Sequence, residues 1–205
     1  MRGKKEMSKI ISDRVEKTDQ VVMLPSSLDN PYKAPPGTFR VGLFTICVSI
    51  AIFFGSLVIA YLLRAGRPPW QPIQLPETLW LSTGLILASS VTFEIARRVF
   101  RKGEWRLASR FLIATASLGM AFVASQCTAW RELVKQGYYL DKNPHSSFFY
   151  IFTGLHAAHL LGGLVALFVV LLAKSKRREL VDVSTYYWHF LGVLWLALFY
   201  VLKSR

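Results

Sequence analysis

The sequence predicts an all-α, polytopic membrane protein: a bundle of five transmembrane helices with the N-terminus in the cytoplasm and the C-terminus in the periplasm. Three observations predict it. Hydrophobic residues make up 53% of the 205-residue chain and charged residues only 18%, below the usual share for a soluble domain. Five apolar runs reach the roughly 20 residues that an α-helix needs to cross a bilayer. The basic residues fall between those runs in an alternating pattern, eighteen of the 25 on one face, as expected when lysine and arginine mark the cytoplasmic side.

Residues 1–38 read as a polar cytoplasmic tail ahead of a transmembrane domain over 39–205. The tail lacks an apolar core with a small-residue cleavage site, so no cleavable signal peptide is expected. Its end, "LPSSLDNPYKAPPG", is an extended, proline-stiffened approach to the first span. The spans are predicted over Phe39–Leu63, Leu75–Ala96, Leu107–Trp130, Phe148–Ala173 and Val183–Leu202. Between the first two, "RAGRPPWQPIQLPE" carries four prolines, which predicts a compact non-helical loop with Trp70 at the outer interface. Basic clusters in the tail, at Arg97–Arg110 and at Lys174–Arg178 alternate with sparser basic residues in the other connections. The net charge of +13 is therefore divided by membrane-length runs rather than gathered into a nucleic-acid-binding patch. Cys47 and Cys127 fall near opposite faces of the bilayer, which disfavours a disulfide and reads them as buried small hydrophobes.

Few polar side chains inside the spans need explaining. Glu94 precedes Arg97 and Arg98 by three and four residues, the spacing of a local ion pair on one helix face. His156 and His159 share a face of the fourth span, and His189 lies early in the fifth. The fourth and fifth spans run in opposite directions. At about 1.5 Å of rise per residue, His159 and His189 then differ in depth by on the order of 10 Å, too much for two ligands of one haem. No clustered carboxylates or thiolates complete a metal site. Hydrogen bonding across a helix interface is the simpler expectation for these rings. Gly154, Ala158 and Gly162 recur every four residues, a small-residue ridge that predicts close approach of another helix, and Thr153 offers a hydroxyl nearby. Tyr186, Tyr187 and Trp188 read as an aromatic belt at the cytoplasmic interface.

"FFYIFTGLHAAHLLGG" followed by "YYWHFLGVLWLALFY" and preceded by "LPETLWLSTGLILASSVTFEIARR" resembles subunit III of the haem-copper oxygen reductases, the family of cytochrome c oxidase and its quinol-oxidising relatives. The resemblance covers Phe39 to Leu202 and is to the five-helix form that lacks the family's first two helices. It implies a subunit without redox cofactors of its own. Such a subunit packs on subunit I, which often supplies the missing helix pair, binds phospholipid, and supports proton uptake and sustained turnover; haem and copper belong to subunits I and II. Candidate lipid or subunit contacts are Tyr61, Glu94, Arg97, Arg98, Gly154, His156, Ala158, His159, Gly162, Trp188 and His189, with no catalytic or metal-binding residue. The chain departs from the family pattern in four places. Ser49 stands where many members have a glutamate in the first span, and Ala129 stands where a glutamate follows Gln126. Gly192 replaces an aspartate, and Arg97 and Arg98 occupy positions that often hold histidines. These losses weigh against direct proton conduction. Two other readings stay open at this stage. One is an accessory protein of nitric oxide reduction with the same five-helix shape; the other is an independent b-type cytochrome using His156, His159 and His189, which the depth mismatch opposes.

Overall fold

The computed structural model describes residues 37–140, 143–172 and 178–204. The tail read over residues 1–38 lies almost wholly outside the described residues, as do Lys142 and the basic cluster from Lys174 to Arg177. Among the described residues there are no strands and five long helices: α1 Thr38–Arg64, α2 Thr78–Arg101, α3 Trp105–Lys135, α4 Pro144–Leu172 and α5 Arg178–Lys203. Each is long and apolar enough to cross a membrane.

The boundaries follow local chemistry. The amide of Ala65 still bonds the Tyr61 carbonyl, and Gly66 then takes a left-handed conformation (φ 75°) that ends α1. The Arg64 guanidinium folds back onto the carbonyls of Arg67 and Pro68 at 3.2 and 3.0 Å. The second helix begins at Thr78 rather than at Leu75. Proline has no amide hydrogen and is most at home in or before a first helical turn, so Pro76 marks the entrance, and its carbonyl accepts the amide of Leu79. Gly103 (φ 89°) makes the sharp turn between α2 and α3. At 31 residues α3 is about 46 Å long, more than the hydrocarbon thickness. Its ends therefore reach past the predicted span at both sides, carrying Arg106 at one end and Arg131, Glu132 and Lys135 at the other. At the start of α4, Pro144 occupies the first turn and the Asn143 side-chain oxygen accepts the amide of His145 at 3.1 Å, an N-cap.

Helices α2, α3, α4 and α5 form a four-membered ring in which each touches the next and α5 closes on α2, while the diagonal pairs keep their backbones apart. Large rings fill the centre: Phe122 of α3 and Trp195 of α5 meet edge to face at 4.9 Å across the diagonal. The first helix stands outside this ring. It touches α4 through long side chains, with Phe54 against His159 (5.5 Å) and Tyr61 against Phe148 and Phe152 (5.5 and 5.7 Å). Only Ile50, Phe54 and Tyr61 of α1 are buried.

Hydrocarbon offers little drive to bring apolar helices together, so polar contacts and close packing do more of that work than in water. Three side-chain bonds tie α2 to α3: Thr78 to Glu132 (2.7 Å), Ser82 with Ser125 (2.7 Å) and Thr92 with Thr115 (2.9 Å). In the interior, the indoles of Trp195 and Trp188 tie α5 to α2 by donating to Thr83 and Ser89, both at 3.0 Å. The Trp130 indole ties α3 to α4 by donating to Thr153 at 2.9 Å.

The close approach falls elsewhere than on the predicted ridge. A Cβ at Gly162 would meet nothing within 4 Å, one at Gly154 would only graze Trp130 at 4.0 Å, and Ala158 is exposed. The tight positions are Gly119 of α3, where a Cβ would lie 2.9 Å from the Trp188 ring, and Gly163 of α4, 3.2 Å from Tyr187 and 3.3 Å from Trp188. The ridge period is genuine, but one residue along a helix is a 100° rotation, so Gly163 faces inward and Gly162 outward. Gly119→Ala is accordingly expected to destabilise the purified protein by about 1–3 kcal/mol through overpacking. Gly162→Ala should stay within about 0.5 kcal/mol, as a surface change does. Thermal unfolding of the two variants side by side checks the assignment of inner and outer faces, and equal midpoints would refute it.

Candidate functional site

The three histidines of the motif region point to three different neighbours. His156 is fully buried in the ring, 5.7 Å from Phe122 and 5.2 Å from Trp195. His159 faces α1, and its Nδ1 donates to the Leu155 carbonyl one turn back at 2.7 Å; a carbonyl only accepts, so Nδ1 carries the proton. His189 lies near α2, its Nε2 3.7 Å from Glu94. The expectation of hydrogen bonds across helix interfaces therefore fails for all three: His189 meets Glu94 only at 3.7 Å, beyond hydrogen-bond distance. His159 bonds within its own helix, and neither ring nitrogen of His156 has a partner among the described residues. Thr153 does not serve them either, because its oxygen takes the Trp130 indole. Among the described residues no three His, Cys, Asp or Glu side chains gather as a metal site would require.

At the end of the ring near the α2–α3 turn, the predicted ion pair is the middle of a larger cluster. Arg97 grips both Glu94 oxygens, Nε to Oε2 at 2.8 Å and Nη2 to Oε1 at 2.7 Å, and Arg98 adds Nε to Oε1 at 2.8 Å. From α5, Asp182 accepts Arg101 at 2.9 Å and stands 3.6 Å from Arg97, while Tyr186 accepts Arg97 at 3.3 Å. Glu94, Arg97 and Asp182 retain only 13–21% of their side-chain exposure, so the network fastens α2 to α5 at a partly water-free level. Asp182 and Tyr186 lie more than 80 residues from Arg97, and no local spacing announces them.

Trp188 does not belong to a belt. It is fully buried between α2, α3 and α4, whereas Tyr186, two residues earlier, is exposed. The two cysteines are free, as expected, yet only half-buried. Trp70 is drawn into the fold by a site absent from the sequence reading. His145 stacks on its indole at 4.8 Å, accepts the amide of Ile73 on Nδ1 at 3.3 Å and shares a 3.4 Å contact with the buried Tyr61 hydroxyl. Asn143 bonds both the amide and the carbonyl of Gln71. The α1–α2 loop is thus tied to the start of α4, and the "NP" cap ahead of His145 was the one local signal of that junction.

Two grooves run between α2 and α5 on the outside of the ring. One, of about 420 Å³, has Leu87, Val91 and Ile95 as walls with Glu94, Arg98 and His189 at its mouth. The other, of about 540 Å³, lies toward the far end beside Trp80, Phe199 and Lys203, whose ammonium sits 4.4 Å over the Trp80 ring.

The match to the family model for cytochrome c oxidase subunit III runs over residues 37–204, the whole of the five-helix unit. The chain belongs to that family. Similar proteins include a probable cytochrome c oxidase subunit 3 from Nocardia farcinica, 33% identical over 176 residues that cover 80% of this chain and 86% of that protein. The cytochrome c oxidase subunit 3 of Thermostichus vulcanus is 28% identical over 188 residues (86% and 91%). The cytochrome bo(3) ubiquinol oxidase subunit 3 of Pseudomonas aeruginosa is 29% identical over 171 residues (80% and 81%). As a subunit III of the haem-copper oxidases, the chain is a multi-pass membrane protein that works in association with other oxidase subunits. The positions read from the sequence as departures from the family pattern have definite surroundings. Ser49 is exposed and bonds the Thr45 carbonyl of its own helix at 2.9 Å, Ala129 is fully buried, and a Cβ at Gly192 would stand 3.3 Å from the Ser90 hydroxyl.

Proposed function

We propose that this subunit III is a non-catalytic integral part of a respiratory terminal oxidase in a bacterial cytoplasmic membrane, N-terminus inside. It packs on subunit I, binds phospholipid, and supports the stability, proton uptake and sustained turnover of oxygen reduction carried out by haem and copper in subunits I and II. The observation that carries this reading is the family match across the entire five-helix unit. Two surfaces support it. Most of α1 and, on α4, Ala158 and Gly162 face outward, leaving apolar area for the helices of a larger assembly. The α2–α5 grooves combine apolar walls with Arg98 at one end and Lys203 at the other. Residues 80 and 98 of α2 are separated by about 27 Å of helix, close to the hydrocarbon thickness that divides two layers of anionic headgroups.

Tagging the chain in its native host, extracting it in mild detergent and identifying what copurifies tests the reading. A haem-copper subunit I with subunit II in stoichiometric amount is the expected result, with phospholipid retained through purification. Deleting the chain should leave the haem spectra of the oxidase normal while its lifetime during turnover falls. Recovery of the chain alone, with a haem band of its own, would overturn the proposal.

A further inference from the structure

We infer that Gln126 and His156 form one polar unit across the α3–α4 seam, closed by a bound water molecule in the interior of the helix ring. Both side chains are completely buried, and all four of their polar atoms, the amide nitrogen and oxygen and the two ring nitrogens, lack a partner among the described residues. Buried polar groups are almost always hydrogen-bonded, and in a membrane-spanning bundle the alternative of drifting to bulk water is closed.

The helical register places the two at the same level. Phe122, Gln126 and Trp130 follow one another at four-residue intervals, one face of α3. The first of these contacts His156 and the last bonds Thr153, so Gln126 sits on the seam between the two α4 residues.

Among the described residues, the side-chain donors nearest the pair are committed elsewhere. The Trp130 indole is committed to Thr153, whose own proton goes to the Phe149 carbonyl. The Trp195 indole, although its ring lies 5.2 Å from His156, donates to Thr83. Ser125 gives its proton to the Phe122 carbonyl. What the amide and the imidazole have in common is that each offers a donor and an acceptor. Water has two of each, so one molecule can bond both side chains while Phe122 and Trp195 wall it in. A metal ion is the poorer occupant, since one imidazole and one amide make no ligand set. Beside the Trp130–Thr153 bond and the long Tyr150–Trp130 contact, this unit gives the α3–α4 seam a further polar key to its register.

The sign of the response to apolar substitution tests the inference. Removing one member of a satisfied pair strands the other, whereas replacing an unbonded buried polar group by an apolar one relieves a penalty. The chain is purified from its native membrane with whatever subunits it carries, so the outcome does not hinge on which subunits those are. Gln126→Met and His156→Phe are each expected to lower the thermal midpoint by about 2–4 °C, and the double variant to recover more than half of the summed loss. A rise in either single variant, or strictly additive losses, would overturn the unit. A map of the unsubstituted protein fine enough to show ordered waters reads the site independently of how the variants fold. A density peak within about 2.7–3.2 Å of both the Gln126 amide and the His156 ring is expected. Direct contact of the two groups, or no peak between them, would overturn the water.

Discussion

Trp188→Ala is expected to lower stability by about 3–5 kcal/mol, read as a fall in the thermal midpoint and in the amount of intact protein recovered from the membrane. The ring is fully buried where three helices meet. Its far edge lies over Gly119 of α3, its near edge over Gly163 of α4, and its indole donates to Ser89 of α2 at 3.0 Å. Truncation opens a space faced by two glycines, and neither has a side chain with which to refill it. Trp188→Phe separates the two contributions by keeping much of the volume while dropping the indole hydrogen bond, so its loss should be closer to about 1 kcal/mol. If alanine cost no more than phenylalanine, packing at the three-helix junction would not be what Trp188 provides.

Glu94→Leu is the second large effect, at about 2 kcal/mol. Breaking a fully buried charge pair costs more, roughly 3–5 kcal/mol, but Glu94 and Arg97 keep 21% and 15% of their side-chain exposure, and the water that reaches them screens the loss. After the substitution Arg97 keeps only the Tyr186 hydroxyl at 3.3 Å and Asp182 at 3.6 Å. Adding Arg97→Met to Glu94→Leu removes the stranded charge, so the double variant is expected to be more stable than Glu94→Leu alone. Thermal unfolding of the single and double variants decides it, and simple addition of the two losses would mean that the carboxylate acts without Arg97.

The five spans, the loop between the first two and the Glu94 ion pair were legible because each is a local property. Twenty apolar residues, a run of prolines, and a carboxylate three and four residues before two arginines need no knowledge of the partner helices. The face of each helix was not legible. On α4 apolar and small residues occur all round the helix, so hydrophobic periodicity gives little indication of which side meets α3 and α5 and which meets lipid. The four-residue period of Gly154, Ala158 and Gly162 therefore does not distinguish exposed Ala158 and Gly162 from inward Gly163. On α5 a different limit applies: buried Trp188 and exposed Tyr186 are neighbours in sequence but not on the helix surface, and a run of aromatic residues does not say which ring faces inward.

The sequence by itself determined that this chain crosses a membrane five times and resembles the oxidase subunit III family, because span length and motif order are written along one dimension. Tertiary structure alone decided the rest. It parted three histidines toward three neighbours, brought Asp182 of α5 onto the arginines of α2, and stacked His145 on Trp70. The physical reason is that in hydrocarbon the choice between inward and outward faces depends on hydrogen bonds and close contacts between different helices, and those exist only once the helices have met.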